Sequence, residues 1–245
     1  MSKGKADKGS QRDIQLLFNN TSNRQVLQDV LEKHINTRIA KWLSPMAKDN
    51  YQEYQDEGFM CKIGYESETT RLVGDFWPKG GPVWDGLALA EDDSILLFEA
   101  KAHISELFGG GMKATSAMSR YKIFKSLAMA AEYIGAEYNP VLWTDEMYQT
   151  ANRLAHLYFL NKELRVKKEL RVKARLIYLI FLNDNTVASR GETEAKWRTA
   201  IEVAERHILK LPFRKNKFSD GTNGSWRDWV KHVFIDMGKL DGTII

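Results

Sequence analysis

The sequence Pro82-Val-Trp-Asp-Gly-Leu-Ala-Leu-Ala90 is followed by the acidic turn Glu91-Asp-Asp-Ser94 and then by Ile95-Leu-Leu-Phe-Glu-Ala-Lys101. Two short apolar runs around a polar turn predict a β-hairpin. The second run begins with four consecutive apolar residues, which is typical of a strand buried on both faces. This strand continues directly into Glu99 and Lys101, and burying isolated charges is costly. We therefore expect a functional polar site at its end.

The hairpin geometry groups three charged residues into this site. Glu99 and Lys101 are separated by one residue, so on a strand their side chains point to the same face. Asp85 lies on the partner strand and is expected to face them across the hairpin. Two carboxylates and an ammonium group in one place suit a divalent metal ion, because Mg²⁺ prefers oxygen ligands.

The triplet Glu-x-Lys is common, and the chain carries a second copy, Glu194-Ala-Lys196. That copy falls in residues 192–209, where apolar residues recur at helical spacing. No apolar strand precedes it, so we interpret it as a solvated helix face. The strand context therefore distinguishes the first copy from the second.

Asp85, Glu99 and Lys101, in the pattern Asp-x13-Glu-x-Lys across a hairpin, resemble the motif of the PD-(D/E)xK phosphodiesterase (nuclease) superfamily. The resemblance implies a three-layer α/β/α, restriction-endonuclease-like fold with a central mixed β-sheet. It also implies that Asp85 and Glu99 bind Mg²⁺, for which Mn²⁺ can substitute, and that Lys101 orients or activates the attacking water. Trp84 precedes Asp85 where the superfamily pattern has proline.

Length and composition predict one folded domain. The chain has 245 residues, 43% of them hydrophobic, and seven tryptophans. The first dozen residues are rich in Lys, Gly, Ser and Asp, and residues 1–20 are expected to form a disordered tail before a single domain at 21–245. The lone Cys61 excludes an intramolecular disulfide and fits a reducing cytoplasm. Neither a membrane span nor a signal peptide is expected, and the net charge of +4 favours a polyanionic partner.

A first helix is predicted over residues 22–42, with Ser22 as its N-cap. Its apolar stripe consists of Leu27, Val30, Leu31, Ile35, Ile39 and Trp42. Glu32 borders this stripe. In many members of the superfamily a Glu on the first helix adds a metal contact, so Glu32 is a third candidate ligand. The alternative interpretation is a surface Glu paired with Lys or Arg.

A later helix, over residues 145–160, carries the polar stripe Gln149, Asn152, Arg153 and His156 at positions i, i+3, i+4 and i+7. These side chains are of the types that contact phosphates and sugars, which makes them candidate substrate-binding residues. Buried structural hydrogen bonding is the alternative. His103 follows Lys101 by two residues and is a further candidate for phosphate contact or proton transfer, against a structural role.

The segments around residues 76–78, 84–86, 99–103 and 148–160 resemble an uncharacterised bacterial group within the superfamily. Gln149 is similar to the Gln that follows the motif in RecB-like nucleases, although Arg153 stands where that group has Tyr. Trp77 and Trp84 flank the Asp85 strand and either stack on nucleobases or belong to the core.

The remaining segments give weaker predictions. A short strand is predicted at residues 59–65, a strand beside the Glu99 strand at 175–182, and a last strand at 233–235. The tandem repeat over 162–173 is interpreted as a solvated insertion. The basic loop at 214–217 is a candidate for phosphate contact.

The sequence therefore favours a Mg²⁺-dependent nuclease, namely a DNA endonuclease of the restriction, defence or repair type. A non-catalytic nucleic-acid-binding or assembly protein on the same fold is the main alternative. A carboxylate enzyme such as a glycoside hydrolase is the third, and it leaves Lys101 without a role. The sequence leaves open whether the substrate is DNA or RNA, whether it is single- or double-stranded, and which sequence is recognised. It also leaves open the oligomeric state, including a homodimer.

Overall fold

A five-stranded mixed sheet forms the centre of the protein in this computed structural model, which describes residues 4–164, 173–186, 192–212, 216–217 and 223–240. Its strands are β1 (Ile39–Ser44), β2 (Gly86–Ala90), β3 (Ile95–Lys101), β4 (Ala174–Leu182) and β7 (Val230–Asp236), in that spatial order. The β1–β2 and β2–β3 pairs are antiparallel, whereas β3–β4 and β4–β7 are parallel. The short strands β5 (Asn216–Lys217) and β6 (Asn223–Gly224) pair separately.

Helices cover both faces of this sheet. They are α1 (Gly9–Asn19), α2 (Thr21–Ile35), α3 (Asp56–Lys62), α4 (Thr69–Leu72), α5 (Ala117–Ile134), α6 (Pro140–Thr144), α7 (Tyr148–Tyr158), α8 (Glu194–Glu202) and α9 (Trp226–Trp229). Helices α1 and α2 pack on one face, and α5 and α7 pack on the other. The prediction of a three-layer α/β fold with a mixed sheet is confirmed. Among the described helices, none is long and apolar enough to cross a membrane.

Strand β3 lies in the middle of the sheet, and all seven of its residues are buried. Leu96 and Phe98 pack in the layer of α1 and α2, whereas Leu97 packs in the layer of α5 and α7. Because side chains alternate along a strand, Glu99 and Lys101 share the face of Leu97. Burial on both faces explains why the run before Glu99 is continuously apolar.

The prediction of a disordered tail over residues 1–20 is wrong for residues 9–19, which form α1. Ile14, Leu17 and Phe18 are fully buried against the sheet. The apolar stripe of this helix is short and lies in a polar, glycine-containing segment. Ile14, Leu17 and Phe18 stand at positions i, i+3 and i+4, so the helical spacing is present in the segment, and packing of this stripe on the sheet stabilises the helix.

The predicted first helix over residues 22–42 is wrong beyond Ile35. Asn36 adopts the left-handed conformation with φ of 52° and ends α2, while the side chain of Asn20, not Ser22, caps its start. Residues 39–44 instead form the edge strand β1 beside β2. The register of β1 shifts between Ile39 and Lys41 and again between Trp42 and Ser44, so its apolar residues do not alternate as in a regular strand and instead resemble a helical stripe.

Other local predictions have mixed outcomes. Residues 59–65 do not form the predicted strand, since α3 covers residues 56–62. The strand predicted at 175–182 is β4 and pairs with β3, and the strand at 233–235 lies within β7. Most of the tandem repeat, residues 165–172, and residues 214–215 of the basic loop lie outside the described residues.

Gly86 allows α1 to approach the hairpin. A Cβ atom on Gly86 would lie 2.9 Å from the Phe18 ring and 3.0 Å from Ile14 Cδ1, closer than real Cβ contacts. Any larger residue at this position would force the Phe18 ring or Ile14 to shift. The contact fixes the start of β2 against α1, directly after Asp85.

A second buried contact joins α1 to the end of β4. Asp13 is fully buried near Asp184, and its Oδ1 accepts a hydrogen bond from Arg12 at 3.1 Å. Burial, together with the charge of Asp184, raises the pKa of Asp13 to about 7. The folded protein therefore holds a proton on Asp13 that the unfolded chain releases.

Replacing Phe18 by Ala tests the packing of α1. We expect a loss of about 3–5 kcal/mol of unfolding free energy, because the ring is fully buried between α1 and the sheet. Urea unfolding followed by circular dichroism measures this loss. Val26→Ala, at a site that is 38% exposed, is the control and should change stability little. A Phe18→Ala variant as stable as the wild type would mean that residues 9–19 do not pack.

Replacing Asp13 by Asn tests the buried proton. The wild-type contribution of Asp13 is fully present below the unfolded pKa of 3.8 and is lost as pH rises to the folded pKa of about 7. Asn carries no such charge, so we expect the variant to gain on the order of 2–4 kcal/mol relative to wild type between these pH values. Urea midpoints at both pH values measure the gain. The exposed Asp75→Asn is the control, and a gain independent of pH would contradict the shifted pKa.

Candidate active site

Asp85, Glu99 and Lys101 lie together at the carboxyl end of β3. Lys101 Nζ donates a hydrogen bond to Glu99 Oε1 at 2.8 Å. Asp85 directly precedes β2, and its Oδ2 accepts a hydrogen bond from the backbone N–H of Ala100 at 2.8 Å. The side chains of Glu99 and Lys101 are only 1% and 6% exposed. The structure therefore brings together the three residues that the hairpin predicts.

Helix α7 supplies two more residues to this cluster. Gln149 Nε2 donates to Glu99 Oε1 at 2.8 Å, while Gln149 Oε1 accepts from Lys101 Nζ at 2.8 Å. Arg153 Nε donates to Glu99 Oε2 at 2.7 Å. Two of the four residues of the predicted polar stripe, Gln149 and Arg153, therefore contact Glu99. Glu99 is paired with two cationic side chains, and Lys101 and Arg153 each have a buried partner of opposite charge, as a strand that ends in buried charges requires.

Arg153 also fixes the segment that carries Asp85. A terminal nitrogen of its guanidinium donates to the carbonyl of Val83 at 3.0 Å, and the group lies 5.1 Å from the centre of the Trp84 ring. The planar guanidinium makes several directed hydrogen bonds at once, which an ammonium group does not. Arg153 therefore joins α7 to both strands of the hairpin.

The two carboxylates of the cluster differ in their electrostatic surroundings. Burial raises the pKa of Asp85 to about 7, and the charge of Glu99 adds to this effect. Burial acts in the same direction on Glu99, but the charges of Arg153 and Lys101 outweigh it and lower the pKa of Glu99. Glu99 is therefore ionised at neutral pH, whereas Asp85 binds a proton or another cation readily.

Glu53 is an acidic residue of the cluster that the sequence reasoning missed. It is 5% exposed, and its charge contributes to the raised pKa of Asp85. Gln11 of α1 donates a hydrogen bond to it at 3.2 Å. Its neighbour Tyr54 forms an antiparallel bridge with Trp84, which brings residue 53 beside residue 85. The sequence signal for Glu53 is weak, because it consists only of an acidic residue between Tyr51 and Tyr54 in a segment without regular periodicity.

Two predicted residues are not brought to this cluster. Glu32 lies on α2, which packs on the opposite face of the sheet, and it is half exposed and paired with Arg38 at 3.1 Å. His103 begins the helical turn Ile104–Leu107, where its ring accepts a backbone hydrogen bond, and its Nδ1 lies 3.7 Å from Glu192. The strand ends at Lys101, so the alternation that predicted His103 on the same face does not extend to it.

The aromatic residues and His156 belong to the core. Trp77 and Trp84 are 1% and 0% exposed, which leaves no ring face for a nucleobase. His156 is 2% exposed, lies 4.9 Å from the Trp77 ring and hydrogen bonds to the carbonyl of Asn152. Burial lowers the pKa of His156 to about 3, so its ring is neutral. His156 therefore has a structural position and not the predicted substrate contact.

A groove of about 710 Å³ lies against the cluster. One wall is formed by residues 77–83, and the other by residues 109–111 and 113–116 with the first turns of α5. Gln149, Asn152 and Arg153 of α7 form its floor. Three residues of the polar stripe, Gln149, Asn152 and Arg153, therefore line the groove, whereas His156 lies in the core.

The oxygen atoms of the cluster fit a hard divalent cation in their chemistry, since Mg²⁺ takes carboxylate ligands. Within the described residues, however, no three Asp, Glu, His or Cys side chains are arranged around one metal position. Both oxygens of Glu99 accept hydrogen bonds from Lys101, Gln149 or Arg153. To bind a metal ion, Glu99 would therefore have to share one of its oxygens between the ion and a hydrogen-bond donor, or lose one of these hydrogen bonds.

Comparison of the chain with protein-family models, curated proteins and solved structures found no match. Any function must therefore be inferred from the residues of the site and from the motif that they form.

Replacing Arg153 by Met tests whether its ion pair supports the site. We expect a loss of about 3–5 kcal/mol of unfolding free energy, because a buried pair loses one partner. In a double-mutant cycle with Glu99→Gln, the combined loss should be smaller than the sum by about 1–3 kcal/mol. Denaturant unfolding measures all four proteins.

Arg198→Met is the matched control, because Arg198 pairs with Glu194 at the surface with side chains 64% and 47% exposed. Exposed pairs contribute about 0–1 kcal/mol. Equal losses for the Arg153 and Arg198 variants would contradict a buried, energetically important pair.

Proposed function

We propose that the protein is a metal-dependent nuclease that hydrolyses phosphodiester bonds in nucleic acid, acting as a DNA endonuclease. The observation that carries the proposal is the position of Lys101, whose Nζ is held by Glu99 and Gln149 at 2.8 Å each, beside Asp85 and below a polar groove. Carboxylates with an oriented lysine are the groups that metal-assisted phosphodiester hydrolysis needs. The resemblance of Asp85, Glu99 and Lys101 to the PD-(D/E)xK motif supports the same reaction.

Each residue of the cluster has a role in this proposal. Asp85 and Glu99, with Glu53 beside Asp85, would hold Mg²⁺ or Mn²⁺. When bound, such an ion supplies charge neutralisation and activation of water. Lys101 holds the attacking water or stabilises the charge that develops on the phosphate. Gln149 and Glu99 keep the ammonium group of Lys101 in one orientation, which reduces the reorganisation needed during the reaction.

The surroundings of the site support nucleic acid as the substrate. The groove floor carries Asn152 beside Gln149 and Arg153, which are side chains that bind phosphates and sugars. The net charge of +4 favours a polyanion. The single cysteine, Cys61, is exposed and supports a reducing compartment such as the cytoplasm, where a restriction, defence or repair nuclease acts.

A non-catalytic nucleic-acid-binding protein is the second candidate, and one observation favours it. Arg153 Nε lies 2.7 Å from Glu99 Oε2, so Glu99 is neutralised by protein cations without any metal ion. A polar network whose members are all paired stabilises a fold by itself. On this alternative the groove binds nucleic acid and the cluster is structural.

Cleavage assays separate the two candidates. We expect wild-type protein to cut plasmid or single-stranded DNA with Mg²⁺ or Mn²⁺ but not with EDTA. Asp85→Ala and Lys101→Ala should each lower the rate by about 10²-fold or more, because each removes a group that acts on the reacting phosphate. Glu194→Ala and Lys196→Ala alter the helical copy of the triplet and should leave the rate unchanged.

Absence of cutting on any DNA, with no Mg²⁺ or Mn²⁺ binding by calorimetry, would refute the nuclease. DNA binding that survives in the Asp85→Ala variant would then support the second candidate. Equal rates for wild type and the Lys101→Ala variant would refute the role of Lys101 even if the protein cuts DNA.

A further inference from the structure

The reactive groups of the cluster lie behind the groove floor and not on the protein surface. Gln149 and Arg153 line the groove. From behind, Glu99 contacts both of them and Lys101 contacts Gln149, and the side chains of Glu99 and Lys101 are 1% and 6% exposed. A phosphate that reaches Lys101 must therefore enter the groove and pass between its walls. The outline of the groove consequently limits which nucleic acids can react.

The wall formed by residues 77–83 is held in place at several points. Asp56 accepts hydrogen bonds from the backbone N–H groups of Gly80 and Gly81, each at 2.8 Å. At its ends, Ser126 donates to the carbonyl of Phe76, and Arg153 donates to the carbonyl of Val83. These contacts come from three different helices, so the wall cannot move away from the floor without breaking several of them.

The opposite wall is also held by backbone hydrogen bonds. The N–H of Gly109 donates to the carbonyl of Glu146 at 3.0 Å, and the N–H of Met112 donates to the carbonyl of Thr144 at 2.7 Å. Both bonds tie the glycine-rich segment to the chain just before α7, which forms the floor. Hydrogen bonds therefore hold both walls of the groove in place around the floor.

The size of the groove suits one strand. Its volume of about 710 Å³ falls within the range of roughly 300–1,000 Å³ that is typical of sites for a single small ligand. Proteins that dock on intact duplex DNA bury a broad exposed surface instead of filling a groove of this kind. An unpaired strand is flexible, so its bases can turn away and let one phosphate reach the groove floor. In a duplex the bases are paired and stacked, so each phosphate belongs to a wide, stiff double helix.

The side chains at the rim fit such a strand. Lys79 lies on one wall and Lys113 on the other, both exposed and neither paired with an acidic residue in the described part of the chain. Tyr148, half-buried at the start of α7, adds an aromatic ring to the lining. Cationic groups along a groove with an aromatic side chain are the common elements of single-strand binding.

We propose that the groove binds one unpaired strand of nucleic acid and excludes an intact duplex, with Lys79 and Lys113 contacting backbone phosphates on either side of the reacting one. This inference rests on the proposed function, since it names the form of substrate that the same site accepts. The two statements fail separately, because strand binding is measurable without metal ions and without cleavage.

Fluorescence anisotropy in EDTA tests the inference directly. The probes are a labelled single-stranded oligonucleotide without self-complementarity and the same oligonucleotide annealed to its complement as a blunt-ended duplex. We expect the single strand to bind at least about tenfold more tightly at low salt, where phosphate contacts dominate affinity. The double variant Lys79→Ala, Lys113→Ala should lower the slope of log affinity against log salt by about 1.4, since each phosphate contact on a single strand contributes about 0.7.

Lys125→Ala is the matched control, because Lys125 is an exposed lysine of α5 that does not line the groove. Equal affinity for strand and duplex, or a salt slope unchanged in the double variant, would overturn the inference. Strand-selective binding without metal-dependent cleavage would support the groove and refute the nuclease. Equal cleavage of duplex and single strand would support the nuclease and overturn the single-strand groove.

Discussion

The buried ion pair between Glu99 and Lys101 is the interaction on which the rest of the structure depends. A central strand that ends in two buried charges needs partners for both, since uncompensated burial is costly. Gln149 and Arg153 meet this need from α7, at distances of 2.7–2.8 Å from Glu99. The position of α7 over the end of β3 is therefore set by the same contacts that form the site, so the fold and the site share one network.

The antiparallel hairpin adds a second constraint, which places Asp85. Its Oδ2 is held by the N–H of Ala100, one residue beyond Glu99, so the register of β2 and β3 fixes the relation of the two carboxylates. Gly86 then admits Phe18 of α1 against the hairpin, and Gln11 of the same helix contacts Glu53. Helix α1 therefore supports Asp85 and Glu53, whereas α7 contacts Glu99 and Lys101 from the other face of the sheet.

The sequence predicted the parts of the site that depend on local periodicity. The apolar run before Glu99 predicted the buried strand. The two-residue spacing from Glu99 to Lys101 predicted that both side chains lie on the same face of it. Helical spacing correctly grouped Gln149 with Arg153. It failed for His156, which shares the direction of Gln149 around the helix but lies about 10 Å further along its axis, over the core. The polar composition of the first residues hides the helical spacing of Ile14, Leu17 and Phe18. The position of Glu53 depends on contacts between distant segments, which no local pattern contains.

The balance of charge in the cluster indicates where a cation is favoured. Three carboxylates, on Glu53, Asp85 and Glu99, face two cationic side chains, Lys101 and Arg153. Both cations lie beside Glu99, so the excess negative charge lies on the side of Asp85 and Glu53. Burial is the main cause of the raised pKa of Asp85, about 7, and the negative charges of Glu99 and Glu53 add to it. A divalent ion held by Asp85 and Glu53 alone would leave the Arg153–Glu99 pair intact, whereas ligation by Glu99 as well would share or displace one of its hydrogen bonds.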